Sequence, residues 1–552
     1  MNASLSRLFT VACCLIPLGL SGCLFKLESP MKTGRTLDMG NTDSTRKYEL
    51  VLEPGEGAIL LLGDNDDLQA VRKDYFSRNR KRNNPAGPLD RLLLGFYSGP
   101  PSDERAAKVG LTKQKYIDRM LKLYKGANAT TVYFYYGNMQ HQSGGKLADA
   151  AAKHGLRSIL QTNDLYFRGH HYWMIESYRN SSLKGYADPQ DYLKRYLMPR
   201  LKAWAPGNTH NSNILAWSPV EELPPEDEEV YAEYKKAFKR LFPNHLLFQL
   251  DSQQTTRELL KSKKPPYPDI TGFDRYPWWT RPEGQGLWTP HYAARLFFSW
   301  IKDYARHCHE LFGAPSVLVM QGCGEVSWAD EAWGRRFDIE PREDFISPKS
   351  PSIRWSSKVG KFRTMNRYLA PDNAWRLQNW MGIACGFKGL MYWSAGPAYS
   401  LKQWNQAIED GSSARRCLID DDFATHRLLK EVSASWKEIR RYEMLLLDSI
   451  PIKEEKPKWK VAGPHVFTGL LRDNSGRRYL VVVNGLIGQW DGTSPEILNY
   501  PKTKLTVGEN GELENYTPLT EPRRMIIEMN GSEGLPYDLR TLKALEAPQR
   551  TR

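Results

Sequence analysis

Apolar and polar positions follow three regimes along this chain. After a polar start, YELVLEPGEGAILLLG alternates and then runs apolar around a PGEG turn, predicting a β-hairpin from about Tyr48. From residue 89, short apolar runs alternate with longer stretches of helical period. The runs are LLLGFYSG (92–99), ATTVYFYYG (129–137), LRSILQTND (156–164), ILAWSPVEE (214–222), HLLFQLDS (245–252), DITGFDRYP (269–277), SVLVMQ (316–321) and FKGLMYWSAG (387–396). Between them, LTKQKYIDRMLKLYKG predicts a helix with Thr112 as its N-cap. In EDEEVYAEYKKAFKRLF, acids crowd the first turn and bases the later ones, as the helix dipole favours. Beyond about residue 446 the pattern returns to short strands, HVFTGLLRD, RRYLVVVNG and RRMIIEMN, parted by NSG and GENGE turns.

Eight strand candidates, most followed by a helix, imply an α/β fold closed as a (β/α)8 TIM barrel, with a small N-terminal β element and a C-terminal antiparallel β domain. An open doubly wound sheet is the competing architecture, but no GxGxxG or phosphate loop marks it. The expected divisions are 1–22 as a signal peptide, 23–47 as a tether, 48–88 as the N-terminal β element, 89–445 as the barrel and 446–552 as the C-terminal β domain. A barrel of this kind carries its active site at the C-terminal ends of its strands.

Composition adds an address and narrows the partners. Arg7, the apolar LFTVACCLIPLGL and the small residues before Cys23 describe a secretory signal, too short and too proline-broken for a membrane span. LSGC resembles a bacterial lipobox, which implies cleavage before Cys23, a lipid on its sulfur and, with Leu24 following, an outer-membrane location; a soluble secreted protein is the plainer alternative. Cys308, Cys323, Cys385 and Cys417 are too dispersed for a zinc pattern and leave room for one bridge in an oxidising compartment. Lys and Arg outnumber Asp and Glu by 77 to 63, yet the formal charge of +14 is spread without a basic block, which argues against nucleic acid and admits an acidic polysaccharide.

The fourth run ends in Glu221 and Glu222. Strand parity sets Leu215, Trp217 and Glu221 on one side and Ala216, Ser218 and Glu222 on the other; with Leu215 and Trp217 towards the helices, Glu222 projects into the barrel mouth. A solvated acid pair opening the next helix is the bland alternative. Aromatics gather at the same ends: Tyr135 and Tyr136, Tyr166, Tyr172 and Trp173 beside His170 and His171, then Tyr276, Trp278, Trp279, Trp288, Trp328, Trp333, Tyr392 and Trp393. Any single ring is ordinary packing, but together they suit the apolar faces of sugars, with polar neighbours for hydroxyls; His170 and His171 suit either that role or an ordinary polar loop.

AWSPVEELP, GFDRYPWW and GFKGLMYWSAG together resemble the clan A glycoside hydrolases over about residues 89–440. The resemblance implies a poly- or oligosaccharide substrate, Glu222 as general acid/base, Glu221 replacing its amide or acidic neighbour, Tyr276 as the substrate-facing aromatic of strand six and Trp393 near the sugar floor. It implies a nucleophilic glutamate at the end of strand seven, and there the chain departs, because SVLVMQ ends in Gln321. An amide cannot form a glycosyl ester or carry negative charge. Glu325 shares the parity of Gln321 at about 13 Å if the chain is extended, unless Gly322–Cys323–Gly324 folds back.

Three expectations follow. Glu325 is a nucleophile delivered by a glycine turn, with Gln321 as a hydroxyl ligand; or Asp274 or Glu325 activates water in an inverting mechanism; or the barrel binds glycans without cleaving them. A structural envelope protein would not need the aromatic mouth. None of these steps requires a metal or a cofactor, and HCHE (307–310) places its histidines two apart in a helical stretch, off one common face. The long connection from about Val326 to Leu369 predicts either a lid or subsite wall, or a mobile surface loop.

Overall fold

The computed structural model describes residues 45–77, 88–99, 101–134, 143–161, 189–219, 228–251, 256–277, 290–335, 341, 354–367, 373–394, 396–398, 403, 406–407, 409–420, 423, 427–454, 456–462, 465–486, 506–507, 513–514, 523–529 and 535–546. Every one of the eight apolar runs from residue 92 contributes a barrel strand: β1 (Leu93–Ser98), β2 (Thr131–Phe134), β3 (Arg157–Gln161), β4 (Ile214–Ser218), β5 (Leu246–Asp251), β6 (Ile270–Arg275), β7 (Ser316–Gln321) and β8 (Gly389–Trp393). They pair in chain order as a closed parallel barrel, with β8 against β1. The (β/α)8 architecture is thereby established from this chain's own strand order.

Helices clothe the barrel. In Lys113–Gly126, Thr112 caps the first turn by accepting the Lys115 amide at 3.3 Å, and Tyr116, Ile117, Met120, Leu121 and Tyr124 form its buried face. Each large apolar side chain so withdrawn from water contributes roughly 1.5 to 3 kcal/mol.

The expected N-terminal hairpin is corrected. The turn exists, with the Glu56 amide on the Glu53 carbonyl at 3.0 Å, but its two strands enter different sheets. Arg46–Leu52 pairs with Arg523–Met529, while Gly57–Gly63 lies between Arg478–Asn484 and Leu535–Asp538 in a six-stranded sheet. GAILLLG does not alternate because both its faces are covered. Ala58, Leu60 and Leu62 face the core shared with Leu50, Leu52 and Ile527, whereas Ile59 and Leu61 join the barrel's core.

This second sheet docks closely on helix Ala374–Ala384. A Cβ on Gly469 would lie 1.7 Å from the Ala384 carbonyl oxygen. Gly469→Ala is therefore expected to force the sheet off the helix and cost about 1–3 kcal/mol. The denaturation midpoint checks this, with Gly126→Ala as the control, since a Cβ at Gly126 meets nothing within 4 Å.

Candidate active site

Contacts across the barrel define which side chains point inward. The rings of Tyr97 (β1) and Tyr133 (β2) stack at 3.5 Å, and Tyr133 reaches Phe248 on the non-adjacent β5 at 5.7 Å, a contact that crosses the interior. Register carries this parity round the sheet: Tyr133 lies beside Ile159, Ile159 beside Ala216 and Gln161 beside Ser218. On the other side Gly272 neighbours Val317, Asp274 neighbours Val319, and Gln321 neighbours Trp393, which neighbours Tyr97. Gln161, Ser218, Asp274, Gln321 and Trp393 thus end their strands on the inward side at the C-terminal mouth.

Strand β4 shows why this parity is firm. Trp217 faces the helices, packed at 5.9 Å from Phe242, and its indole N–H donates to His245 Nδ1 at 2.6 Å. Burial pushes the His245 pKa down to about 4, so the ring stays neutral and free to accept that proton. Ser218, one residue on, consequently turns inward, the parity that Glu222 shares in sequence. Glu221, Glu222 and His171 lie outside the described residues, as do Cys23 and the signal and tether segments.

Strand β7 does not fold back at Gly-Cys-Gly as one expectation required. It passes through Gly322 into a second strand, Cys323–Ala329, which forms a rim sheet with Lys361–Arg367 and Ala414–Cys417; Arg354–Ser356 adds the outer strand. Part of the long connection therefore forms this sheet. Extended pairing satisfies the strand's backbone groups: Cys323–Val326 pair with Ala414–Cys417, and Glu325–Ala329 with Lys361–Arg367. Gln321 is buried, and its amide nitrogen donates to the Cys323 carbonyl at 3.0 Å.

Glu325 stands opposite Arg415 in the ladder, and the guanidinium donates to its carboxylate at 2.6 Å. Arg415 also donates to Ser394 Oγ at 2.9 Å and lies 4.7 Å from the Trp393 ring centroid. The Tyr276 ring also sits 5.4 Å from that of Trp393, at 35°. Ser394 holds the left-handed φ of 57°, its amide on the Tyr97 carbonyl at 2.9 Å, so the chain leaves β8 in a conformation unusual for serine. Arg415, Trp393 and Tyr276 form one half-buried platform beside Gln321.

Tyr392 does not belong to it. The sequence reading set Tyr392 with the mouth aromatics, but one-residue parity turns it outward, where its hydroxyl donates to Asn379 Oδ1 at 2.9 Å. Sequence parity already puts Ser218 on the inward side, but it does not single out Gln161 or Arg415. Gln161 is accessible from the same parity at the end of β3, whereas nothing local marks Arg415, which reaches the mouth through a cross-strand pairing ninety residues distant from Glu325.

Gly322 fixes how closely β7 and β8 approach here, since a Cβ would lie 2.2 Å from the Trp393 carbonyl oxygen. Gly322→Ala is expected to displace Trp393 and to destabilise the protein by about 1–3 kcal/mol. An unchanged urea midpoint would mean that the strands have room to spare.

Among the described residues, no group of three His, Cys, Asp or Glu side chains is placed to hold a metal ion, and no helix is long and apolar enough to cross a membrane.

No family model and no curated protein matches the chain. Among solved structures it is similar to a GH2 β-galacturonidase from Eisenbergiella tayi, at 13% identity and a TM-score of 0.37 over 65% of this chain. It spans only 54% of that enzyme's length. An endo-β-1,4-mannanase from Thermotoga petrophila gives 13% identity and 0.38, with 71% of this chain and 86% of the other covered. A glycoside hydrolase family 5 mannosidase from Rhizomucor miehei gives 10% and 0.40, with 65% and 97% covered.

Proposed function

We propose that this chain is a glycoside hydrolase that cleaves a poly- or oligosaccharide at the C-terminal mouth of its barrel. The observation that supports it most is the Trp393–Tyr276 platform set beside the inward polar ends Gln161, Ser218, Asp274 and Gln321. Flat apolar rings next to hydrogen-bonding groups match the alternating C–H and hydroxyl faces of a sugar.

In this proposal Glu222 protonates the leaving oxygen. A retaining route has Glu325 attack the anomeric carbon, after which Glu222 removes a proton from water; it requires the two carboxyls ~5 Å apart. An inverting route has Asp274 or Glu325 activate the water directly, across ~6.5–9.5 Å. Glu221, His171 and Gln321 would contact hydroxyls. The chain would be held at the cell envelope, by preference the outer membrane, by a lipid on Cys23, and its net positive charge would favour an acidic glycan.

A second reading is a lipoprotein that binds glycan without cleaving it. What favours it is that an amide, Gln321, occupies the inward end of β7, while Glu325 is held by Arg415 in the rim sheet. Incubating the chain with a panel of neutral and acidic polysaccharides separates the two. Release of reducing ends supports hydrolysis; retention in affinity gels without release supports binding; neither outcome on any glycan removes the sugar from both.

A further inference from the structure

Two of the four described cysteines meet in the rim sheet. Cys323 and Cys417 occupy directly opposite positions in the antiparallel ladder between Cys323–Ala329 and Ala414–Cys417. Both side chains are buried together with Ala398 against Trp393, and Cys323 is one of the neighbours that push the Cys417 thiol up. Opposed residues of such a ladder have Cα atoms about 4.5–5.5 Å apart, within the range of about 4.4–6.8 Å that a disulfide spans. Cys308 and Cys385 instead lie in the helical layer, in Tyr304–Phe312 and at the end of Ala374–Ala384.

We propose that Cys323 and Cys417 are a disulfide site, and that their bond clamps the rim sheet over the barrel mouth. The next rung on the same face is the Glu325–Arg415 pair, because residues two apart share a face. Cys323 is tied to the barrel through Gly322 and the Gln321 hydrogen bond. Ala414–Cys417 comes from a distant part of the chain and is held to Cys323–Ala329 by its ladder. A bond at Cys417 ties that strand covalently to β7 and so fixes Arg415 over Trp393. The inference rests on register and burial and stands whether or not the chain cleaves sugar.

The oxidant is a small disulfide such as oxidised glutathione. One protein thiolate attacks it and displaces a thiolate; the second protein thiolate attacks the resulting mixed disulfide and displaces the other. The two cysteines lose two electrons in total, the oxidant becomes two thiols, and the two cysteine protons leave on them. Burial pushes the Cys417 thiol well above its ordinary pKa, so the thiolate is scarce in the folded sheet and the bond forms most readily while the sheet assembles.

The test uses the full chain, both folded and during refolding from urea, in a mixed oxidised and reduced glutathione buffer. It is quenched with N-ethylmaleimide, digested without reductant and read by mass spectrometry. The expected product is one cross-linked peptide pair containing Cys323 and Cys417, which separates into two on reduction. The bridged protein should also melt at a higher temperature than the reduced one, a shift that Cys323→Ala and Cys417→Ala each remove. Recovery of both cysteines as N-ethylmaleimide adducts under both regimes, or bridging only to Cys308 or Cys385, overturns the proposal. The mass readout needs no variant and no activity, so it is independent of the sugar reading.

Discussion

Glu222→Gln is expected to lower the release of reducing ends by roughly 10²–10⁴-fold on any polysaccharide that the wild-type chain cleaves. The amide keeps the size of the carboxyl and both of its hydrogen-bonding positions, but it has no proton to transfer to the leaving oxygen. Binding should therefore survive, with the loss concentrated in kcat and retention in affinity gels close to wild type. Glu325→Gln provides the second arm. If Glu325 is the nucleophile or the base, that substitution alone is as damaging as Glu222→Gln, and the anomer first released distinguishes retention from inversion. If Glu325 only positions Arg415 beside Trp393, its loss raises KM and spares kcat. Undiminished release by Glu222→Gln would remove that residue from the mechanism.

How much of this was legible beforehand differs between the barrel and its rim. Each barrel strand announces itself locally, because a strand buried on both faces reads as an unbroken apolar run of the right length, as in SVLVMQ and GLMYW. Parity then orients a strand's end, as it does for Trp217, which faces the helices; Trp393 is marked by the family resemblance and not by parity. Grouping Tyr392 with Trp393 by position alone overlooks the alternation of a strand, which sets two adjacent side chains on opposite faces. The rim sheet is different in kind. Glu325 meets Arg415, and Cys323 meets Cys417, through pairings between segments about ninety residues apart, and no local period encodes such a meeting. The glycines of Gly-Cys-Gly suggested a turn, yet Gly322 is required for a close approach to the Trp393 carbonyl rather than for a bend. The N-terminal strands illustrate the same limit, since the PGEG turn is local but the sheets that its strands enter are not.

The mouth depends on a buried charge that lies behind it. Asp251 ends β5 on the helical side and accepts from Lys263 Nζ at 2.6 Å, with the Tyr304 hydroxyl also at 2.6 Å. Burial, and then the Asp251 charge, push the Tyr304 phenol well above its ordinary pKa, so it remains a donor. That hydroxyl lies 2.8 Å from the Gly272 carbonyl, and the Tyr304 ring stacks on Phe273 at 4.4 Å. One carboxylate thus joins β5, β6 and helix Tyr304–Phe312, and it does so two residues before Asp274 leaves Gly272 for the mouth. Asp251→Asn keeps the shape but strands the buried Lys263 ammonium, and the expected loss of stability is about 3–5 kcal/mol. Adding Lys263→Met should recover most of it, because the cost lies in the unpaired charge and not in the absence of the pair. Urea midpoints of the two single variants and the double variant read this cycle. A single variant within about 0.5 kcal/mol of wild type would place that ammonium in water, contrary to its burial here. A loss that the double variant does not relieve would assign the effect to the Tyr304 contact with Gly272 on β6.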